Sequence, residues 1–549
     1  MPHQGLDDQK LARSEGFVHA SAMTSVTSPS LVSRAVHALA LASLAATGCT
    51  GAEGGVGLSK GAAQGPLEVP EPAADGPKLV AVRAGAVVLE RPEAGARKVG
   101  ELSAGALVAR SGSTYGKKGC PGGWYAVRPR GFVCNGDGVT LRVEVAPLLP
   151  APPQVARPLP YRYGRALTAG MPAYVGVPDA AALGEAEPDL RRWQSKVSER
   201  AGMPIGAAAN DVPLDERGVA SGPPVLLPTA EGVGDDGKRT EGSFFGFVGG
   251  NAAAPLVPLS VVAGEVGAKV SALRKGSGVA ITRSFEISEA GAGEGRRFGV
   301  TPEGRLVPAD RLQAVPGSTW HGIDLEKDPL PVAFVHRYEV HAWSLAPGKA
   351  TMTDDELEKR TAVPLTGRFR TVEGMRFEEA RAGYWLRAQD LVVVVKRTKF
   401  PDFAQGSTRW LDVSVANQTL TAYEGQKAVY ATLVSTGHDQ LQDAATTAST
   451  PRGVFRVRSK HVTRGVDPRE VGESFDVADA PWVMELDPAV SLTGMYWSDT
   501  VGEARTFHNV AMLPVDARRL FTWTEPQVPE GWHAVYSGEG EGTIVNIRP

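Results

Sequence analysis

Cysteine is nearly absent from this chain, with only Cys49, Cys120 and Cys134 among 549 residues. Nothing from Asn135 to Pro549 is therefore able to act as a thiol, and a cysteine-rich zinc or multi-disulfide scaffold is excluded. A surplus of one charge is also missing. The 58 Lys and Arg balance 61 Asp and Glu, giving a net charge of -3, with no basic stripe of the kind nucleic-acid binders carry, so no nucleic-acid partner is expected. Long hydrophobic runs are lacking too: Ala35 to Ala46 is the clearest near the N-terminus, and it is too short to cross a bilayer as a helix. No His-x-x-x-His or Glu-paired metal pattern occurs, and neither a metal nor any other cofactor is expected.

Glycine and proline are plentiful, at 64 and 41 residues. They point to turns and linkers rather than long helices, and the length suggests three or four domains, so a mainly β, multidomain chain is expected. Arg34 followed by the apolar run and Thr47-Gly48-Cys49 reads as a secretory signal, with Met23 a better start than Met1. The small residues before Cys49 resemble a bacterial lipoprotein signal, which would make Cys49 the lipidated first residue and a membrane anchor, although Ala46 stands where leucine is usual. An ordinary signal peptide with an incidental cysteine is the alternative. Residues 1–49 thus form an N-terminal extension and signal, and the Gly-, Ala- and Pro-rich 50–77 a flexible linker. In an exported chain Cys120 and Cys134 read as a disulfide closing a short loop, the alternative being two buried thiols.

Residues 78–145 hold short β-branched stretches (Leu79 to Val82, Ala86 to Leu89, Ala106 to Ala109), which suggest a small β-barrel. Within it, Trp124 to Val133 is similar to the late strand and turn of bacterial SH3-like domains. A Pro-rich linker, 146–160, follows. Residues 161–262 read as loop-rich with one helix near Pro188 to Ala201, opened by Pro188 and closed by Gly202. Over 263–400 further SH3-like modules are expected, because an aromatic residue stands six positions before a glycine three times: Tyr125 and Gly131, Phe298 and Gly304, Phe377 and Gly383. Any hairpin packing an aromatic before a glycine turn gives the same pattern. The capping box Thr353 to Glu356 predicts a second helix running into Leu357 to Arg360.

From Trp410 the pattern changes to strands. Trp410 to Val415 alternates, Asn417-Gln418 turns, Thr419 to Tyr423 follows, Glu424-Gly425 turns again, and Ala428 to Ser435 completes a meander. Next come Val434-Ser435-Thr436-Gly437, Thr450-Pro451-Arg452-Gly453-Val454-Phe455-Arg456-Val457, Ser459-Lys460-His461 and Pro481-Trp482-Val483-Met484. Then follow Gly494-Met495-Tyr496-Trp497, a short helix opened by Pro514, Gly531-Trp532-His533 and a last strand from Thr543 to Ile547. In this order, residues 409–549 resemble the catalytic domain of the L,D-transpeptidases. The resemblance implies a β-sandwich with a short helix, and peptidoglycan stem peptides as partners on the periplasmic side of the envelope. It also implies acyl transfer by a cysteine thiolate: the thiolate displaces D-alanine from a donor tetrapeptide, and an amine takes the acyl group. That chemistry needs a nucleophile of depressed pKa, a histidine to handle its proton and donors for the oxyanion.

Here those positions differ. Holding Gly502 to Arg505 and Pro514 to Ala517 in register without gaps, Thr506 stands for the family's serine, Phe507 for its histidine, His508 for its glycine and Asn509 for its cysteine. Ala511 falls at the later polar position, and Thr493, beside Gly494, at the upstream histidine. A carboxamide has no accessible ionisation and cannot replace a thiolate. The expected function is a catalytically degenerate, wall-binding or scaffolding protein of the envelope. Two alternatives stay open: an active transferase or hydrolase using a hydroxyl, with Ser498, Thr506 and His508 as candidates, and a purely structural lipoprotein.

Overall fold

The structure is a computed structural model that describes residues 69–176, 178, 180–201, 232–233, 239–240, 271–286, 297–487 and 490–549. The signal segment with Cys49, most of the 50–77 linker, and Gly202 with most of 202–270 lie outside the described residues. The described chain is mainly β, in several sheets.

The first module builds strands where the apolar stretches predict them, Lys78–Ala81, Ala86–Leu89 and Leu107–Ala109. Leu79, Val88, Leu102, Val108 and Val133 are buried together, and Trp532 from far along the chain completes their core. A disulfide joins Cys120 and Cys134, whose Cα atoms are 5.7 Å apart. The expected barrel is instead an open arrangement. Strand Lys98–Leu102 pairs with Ala86–Leu89 on one side and with Trp532–Tyr536 on the other, so its second edge extends a sheet of the C-terminal region. The Trp532 indole nitrogen donates to the Arg128 carbonyl and ties the same contact.

Where loops were expected after residue 161, strand Arg162–Ala166 lies between Gly278–Ile281 and Leu312–Val315. Two helices follow it, Ala180–Ala186 and Leu190–Ala201, where one was expected. Arg311 fixes this part: its guanidinium reaches Glu187 at 2.5 Å and Asp189 at 2.7 Å.

A seven-stranded antiparallel sheet spans 332–394. The recurring aromatic-glycine spacing corresponds to three hairpins. Tyr125, Phe298 and Phe377 are buried, and Gly131, Gly304 and Gly383 turn with φ of 88°, 78° and 93°, a region that costs glycine little. In the second and third cases the hairpin runs on through a 3-10 turn, Ala309–Arg311 or Ala388–Asp390, into another strand. The predicted helix at Thr353 is a strand, Lys349–Leu357. It pairs with Val340–Ala346, setting Trp343 opposite Met352, and Thr353 donates to the Ala342 carbonyl at 3.0 Å. A capping box without an apolar stripe behind it yields to cross-strand pairing.

The C-terminal region is a sandwich. One six-stranded sheet carries Lys427–Leu433, Thr419–Glu424, Arg409–Ser414, Ile544–Arg548 and Gly453–Arg456, with Ile323–Asp324 at its edge. The facing sheet includes Ser459–Val466, Val477–Asp487, Val490–Gly494 and Val510–Met512. Leu411, Val413, Trp482, Met484, Val510 and Phe521 fill the space between. Helix Pro514–Trp523 starts with proline where its missing N–H costs nothing. Near its start the fully buried Asp516 accepts from Gly322 N at 3.0 Å and from the Tyr430 and Thr432 hydroxyls. At its end the Lys460 ammonium donates to the Phe521 and Thr524 carbonyls, and burial pushes that amine down to about 7.

Candidate active site

Strands Val490–Gly494 and Val510–Met512 run parallel, with Thr493 opposite Ala511 and Gly494 opposite Met512. Ser435 bridges Ala511, and Gly437 bridges Thr506, so the segment 506–511 is hydrogen-bonded on both flanks. Above it lies a 3-10 turn, Pro468–Val471, in which Arg469 N donates to the Asp467 carboxylate. The turn ends at Gly472 with φ 74°, where an added Cβ would stand 2.0 Å from the Arg505 carbonyl oxygen. Only glycine lets the turn approach that closely. The close approach lets Phe507 N donate to the Glu470 carbonyl at 3.0 Å.

Asn509 is 2% exposed. Its carboxamide oxygen accepts from Ser491 N at 2.8 Å, and its nitrogen donates to the Glu470 carboxylate at 3.3 Å. Thr506 donates its hydroxyl to the Asn509 carbonyl. Thr493 is fully buried and shares a hydrogen bond of 2.9 Å with Ser491. The structure therefore brings Thr493, Thr506, Asn509 and Ala511 together as one packed, internally bonded group.

Residues 408–547 match the YkuD family, described as the L,D-transpeptidase catalytic domain. The C-terminal region is an L,D-transpeptidase catalytic domain. Among solved structures, similarity is found to a mutant L,D-transpeptidase of Enterococcus faecium, at 19% identity over 26% of this chain and 50% of that one, with a TM-score of 0.19. The catalytic domain of the E. faecium L,D-transpeptidase gives 18% identity over 26% of this chain and 98% of that one, with a TM-score of 0.20. The L,D-transpeptidase from Mycobacterium smegmatis gives 15% over 33% and 77%, with a TM-score of 0.21. The chain spans half the length of the first of these structures. No curated protein is matched.

The remaining candidate residues of the transpeptidase domain point elsewhere. Phe507 is 41% exposed and stacks obliquely on His508. The His508 Nε2 lies 3.0 Å from the Thr447 carbonyl, which makes that nitrogen the protonated donor. Ser498 shares a hydrogen bond with Thr500 at 2.9 Å. Each hydroxyl or imidazole is thus engaged locally rather than with the others.

Sequence reasoning missed three contributors to the transpeptidase site: Ser491, Glu470 and Thr447. Ser491 had a signal, since it lies two residues before Thr493 and so faces the same side of its strand. It also missed a row of polar residues crossing the same sheet, where Ser459 stands opposite Glu485 and Glu485 opposite Ser491. The His461 Nε2 lies 3.0 Å from the Ser459 hydroxyl and 3.5 Å from Glu485, and burial lowers this imidazole to about 4. Serine, histidine and glutamate here do not form a catalytic relay. Both partners crowd one ring nitrogen instead of flanking the ring, and Arg464 pairs with the carboxylate.

Proposed function

We propose that this is an exported envelope protein directed at peptidoglycan, whose L,D-transpeptidase domain is catalytically silent and serves to hold the wall. The observation that carries this reading is the tethering of Asn509. A carboxamide stands where the family register calls for the nucleophile, and both its ends are already bonded, to Ser491 N and to Glu470. An amide so placed has no usable lone pair on nitrogen and no proton to exchange near neutral pH. Phe507 at the place expected for the histidine removes the base as well, and catalytic groups of this kind fail together rather than one by one. Stem peptides are the partner that family membership suggests. Anchoring through a lipid on Cys49 and wall contact by the β modules between 78 and 400 belong to the same proposal.

Two experiments test it. Full-length protein incubated with intact sacculi and centrifuged should sediment with them; protein left wholly in the supernatant overturns wall binding and favours a purely structural lipoprotein. Incubation with tetrapeptide-bearing muropeptides should give neither D-alanine release nor a mass increment on the protein. Appearance of either, lost in Thr506→Ala or Ser498→Ala, would establish the hydroxyl-nucleophile alternative instead.

A further inference from the structure

A cavity of about 860 Å³ opens at one end of the transpeptidase sandwich, where strand Arg409–Ser414 starts and strand Thr419–Glu424 finishes. Ser435, which bridges the Asn509 segment, lies past the other end of these strands, just after Leu433, itself paired with Thr419. A strand length, roughly 17 Å, therefore separates the cavity from that segment. Its floor is apolar: Ile544 is buried, and the Phe403 ring stands edge-on to Trp410 with centroids 5.5 Å apart. Four charged side chains line it, two of each sign. Arg409 and Glu424 pair with each other at 3.3 Å, and Arg409 also donates to the Trp523 carbonyl at 3.1 Å. Arg456 and Glu525 are placed differently, for neither forms an ion pair among the described residues. The Arg456 guanidinium donates to the Gly542 carbonyl at 3.0 Å, and the Glu525 carboxylate accepts from the Gln527 amide at 3.3 Å. Glu525 also attracts the buried Lys460 ammonium, from outside ion-pair distance.

The main chain sets these two opposite charges side by side. Arg456 holds Gly542, while Glu525 N donates to the Thr543 hydroxyl at 2.7 Å and Thr543 N donates to the Glu525 carbonyl at 3.1 Å. Consecutive Cα atoms stand about 3.8 Å apart, so the guanidinium and the carboxylate are anchored to neighbouring residues without meeting. A cation and an anion held in this way over an apolar floor complement a dipolar ligand with an apolar body.

We infer that this cavity binds a zwitterionic α-amino acid with an apolar side chain: its carboxylate meets Arg456, its ammonium meets Glu525, and its side chain rests on Phe403. A guanidinium fork matches the plane of a carboxylate, and a carboxylate accepts charge-assisted hydrogen bonds from an ammonium. The two charges of such a ligand sit on one carbon and its neighbour, which suits protein groups anchored to adjacent residues. None of these residues belongs to the Asn509 centre, so binding here does not depend on the wall-directed reading.

The test is calorimetric titration of the full chain with L-leucine, with D-leucine, and with the N-acetyl and C-terminal amide derivatives of each. At least one leucine enantiomer should bind with a Kd below about 1 mM. Its two derivatives should bind at least about tenfold more weakly, because each lacks one of the charges. Arg456→Gln should weaken leucine about tenfold and leave the amide unchanged, whereas Glu525→Gln should weaken leucine about tenfold and leave the N-acetyl derivative unchanged. Loss of fold would weaken all ligands alike, and unchanged melting of both variants checks that it has not occurred. Either derivative binding as tightly as leucine, no saturable heat with either enantiomer, or leucine binding that survives both substitutions overturns the inference. Sacculus sedimentation reports on the wall-directed reading separately.

Discussion

Two buried polar centres sit in the transpeptidase domain, around Asp516 and around Asn509, and they are built differently. Asp516 collects donors from the Gly322 segment and from two residues of strand Lys427–Leu433, then starts a helix, so one carboxyl ties three elements together. Asn509 is bonded by the next strand and by a surface turn. The first is a structural keystone whose loss strands several donors at once. The second is a filled position, where a short polar side chain bonds across to a strand and to a turn. The difference lies in the number of donors gathered: the Asp516 carboxylate accepts three hydrogen bonds, whereas the Asn509 carboxamide makes two.

Breaking the first centre should have the largest effect. Asp516→Ala leaves the Gly322 N–H and the Tyr430 and Thr432 hydroxyls without their acceptor, at about 1–3 kcal/mol for each orphaned group and partly shared costs, so a loss of about 3 kcal/mol or more is expected. Urea denaturation measures it, and a loss below that for Asn509→Ala would erase the distinction drawn here.

The polar row that leads from Asn509 across the sheet predicts an acid effect of similar size. His461 titrates near 4 when folded and near 6.5 when free, so on acidification the unfolded chain takes the proton first. Its stabilising contribution is complete above about pH 6.5 and falls away as pH drops through about 4, a loss of about 3 kcal/mol from a shift of about 2.5 units. His533, also lowered by burial, acts in the same direction. Melting temperature measured from pH 7 to 4 should fall less steeply in His461→Gln than in the parent chain. Parallel slopes would mean that the row carries no buried neutral histidine.

How much of this was legible in the sequence depends on how local the cause is. Strands Arg409–Ser414 and Thr419–Glu424 pair with each other across a short turn, and their alternation announced them. Strand Arg162–Ala166 pairs with segments more than a hundred residues away, so nothing beside it marked it as a strand. Thr353 to Glu356 carried a helix-start pattern that a hairpin partner overrode. Thr493, Thr506, Asn509 and Ala511 were picked out by the order of motifs, and the structure sets them close together. Glu470 was not, because its reach to Asn509 is set by the fold of a turn 39 residues upstream.

Asn509→Ala should be milder than either change above, about 1–2 kcal/mol, because only Ser491 N is left without a buried partner while Glu470 stays at the surface. Asn509→Cys should still release no D-alanine from tetrapeptide muropeptides, since Phe507 and Thr493 supply no base. Release by that single variant would show that the centre had lost only its nucleophile.

The smallest effect concerns the join between the seven-stranded sheet and the transpeptidase domain. Hydrogen bonds from Lys359 and Arg505 hold the Glu503 carboxyl at about 2, and Lys359 reaches it at 2.7 Å from just beyond strand Lys349–Leu357. Because the folded pKa lies below that of the free side chain, this stability is present above about pH 4.5 and is lost only as pH falls through about 2. The groups are partly solvated, so screening reduces the worth of the pair, and Glu503→Gln should cost no more than about 1 kcal/mol at neutral pH. The same substitution should leave sacculus retention unchanged, because it does not touch Asn509. A large loss of stability at neutral pH would instead make this ion pair a second keystone and weaken the contrast between Asp516 and the rest of the domain.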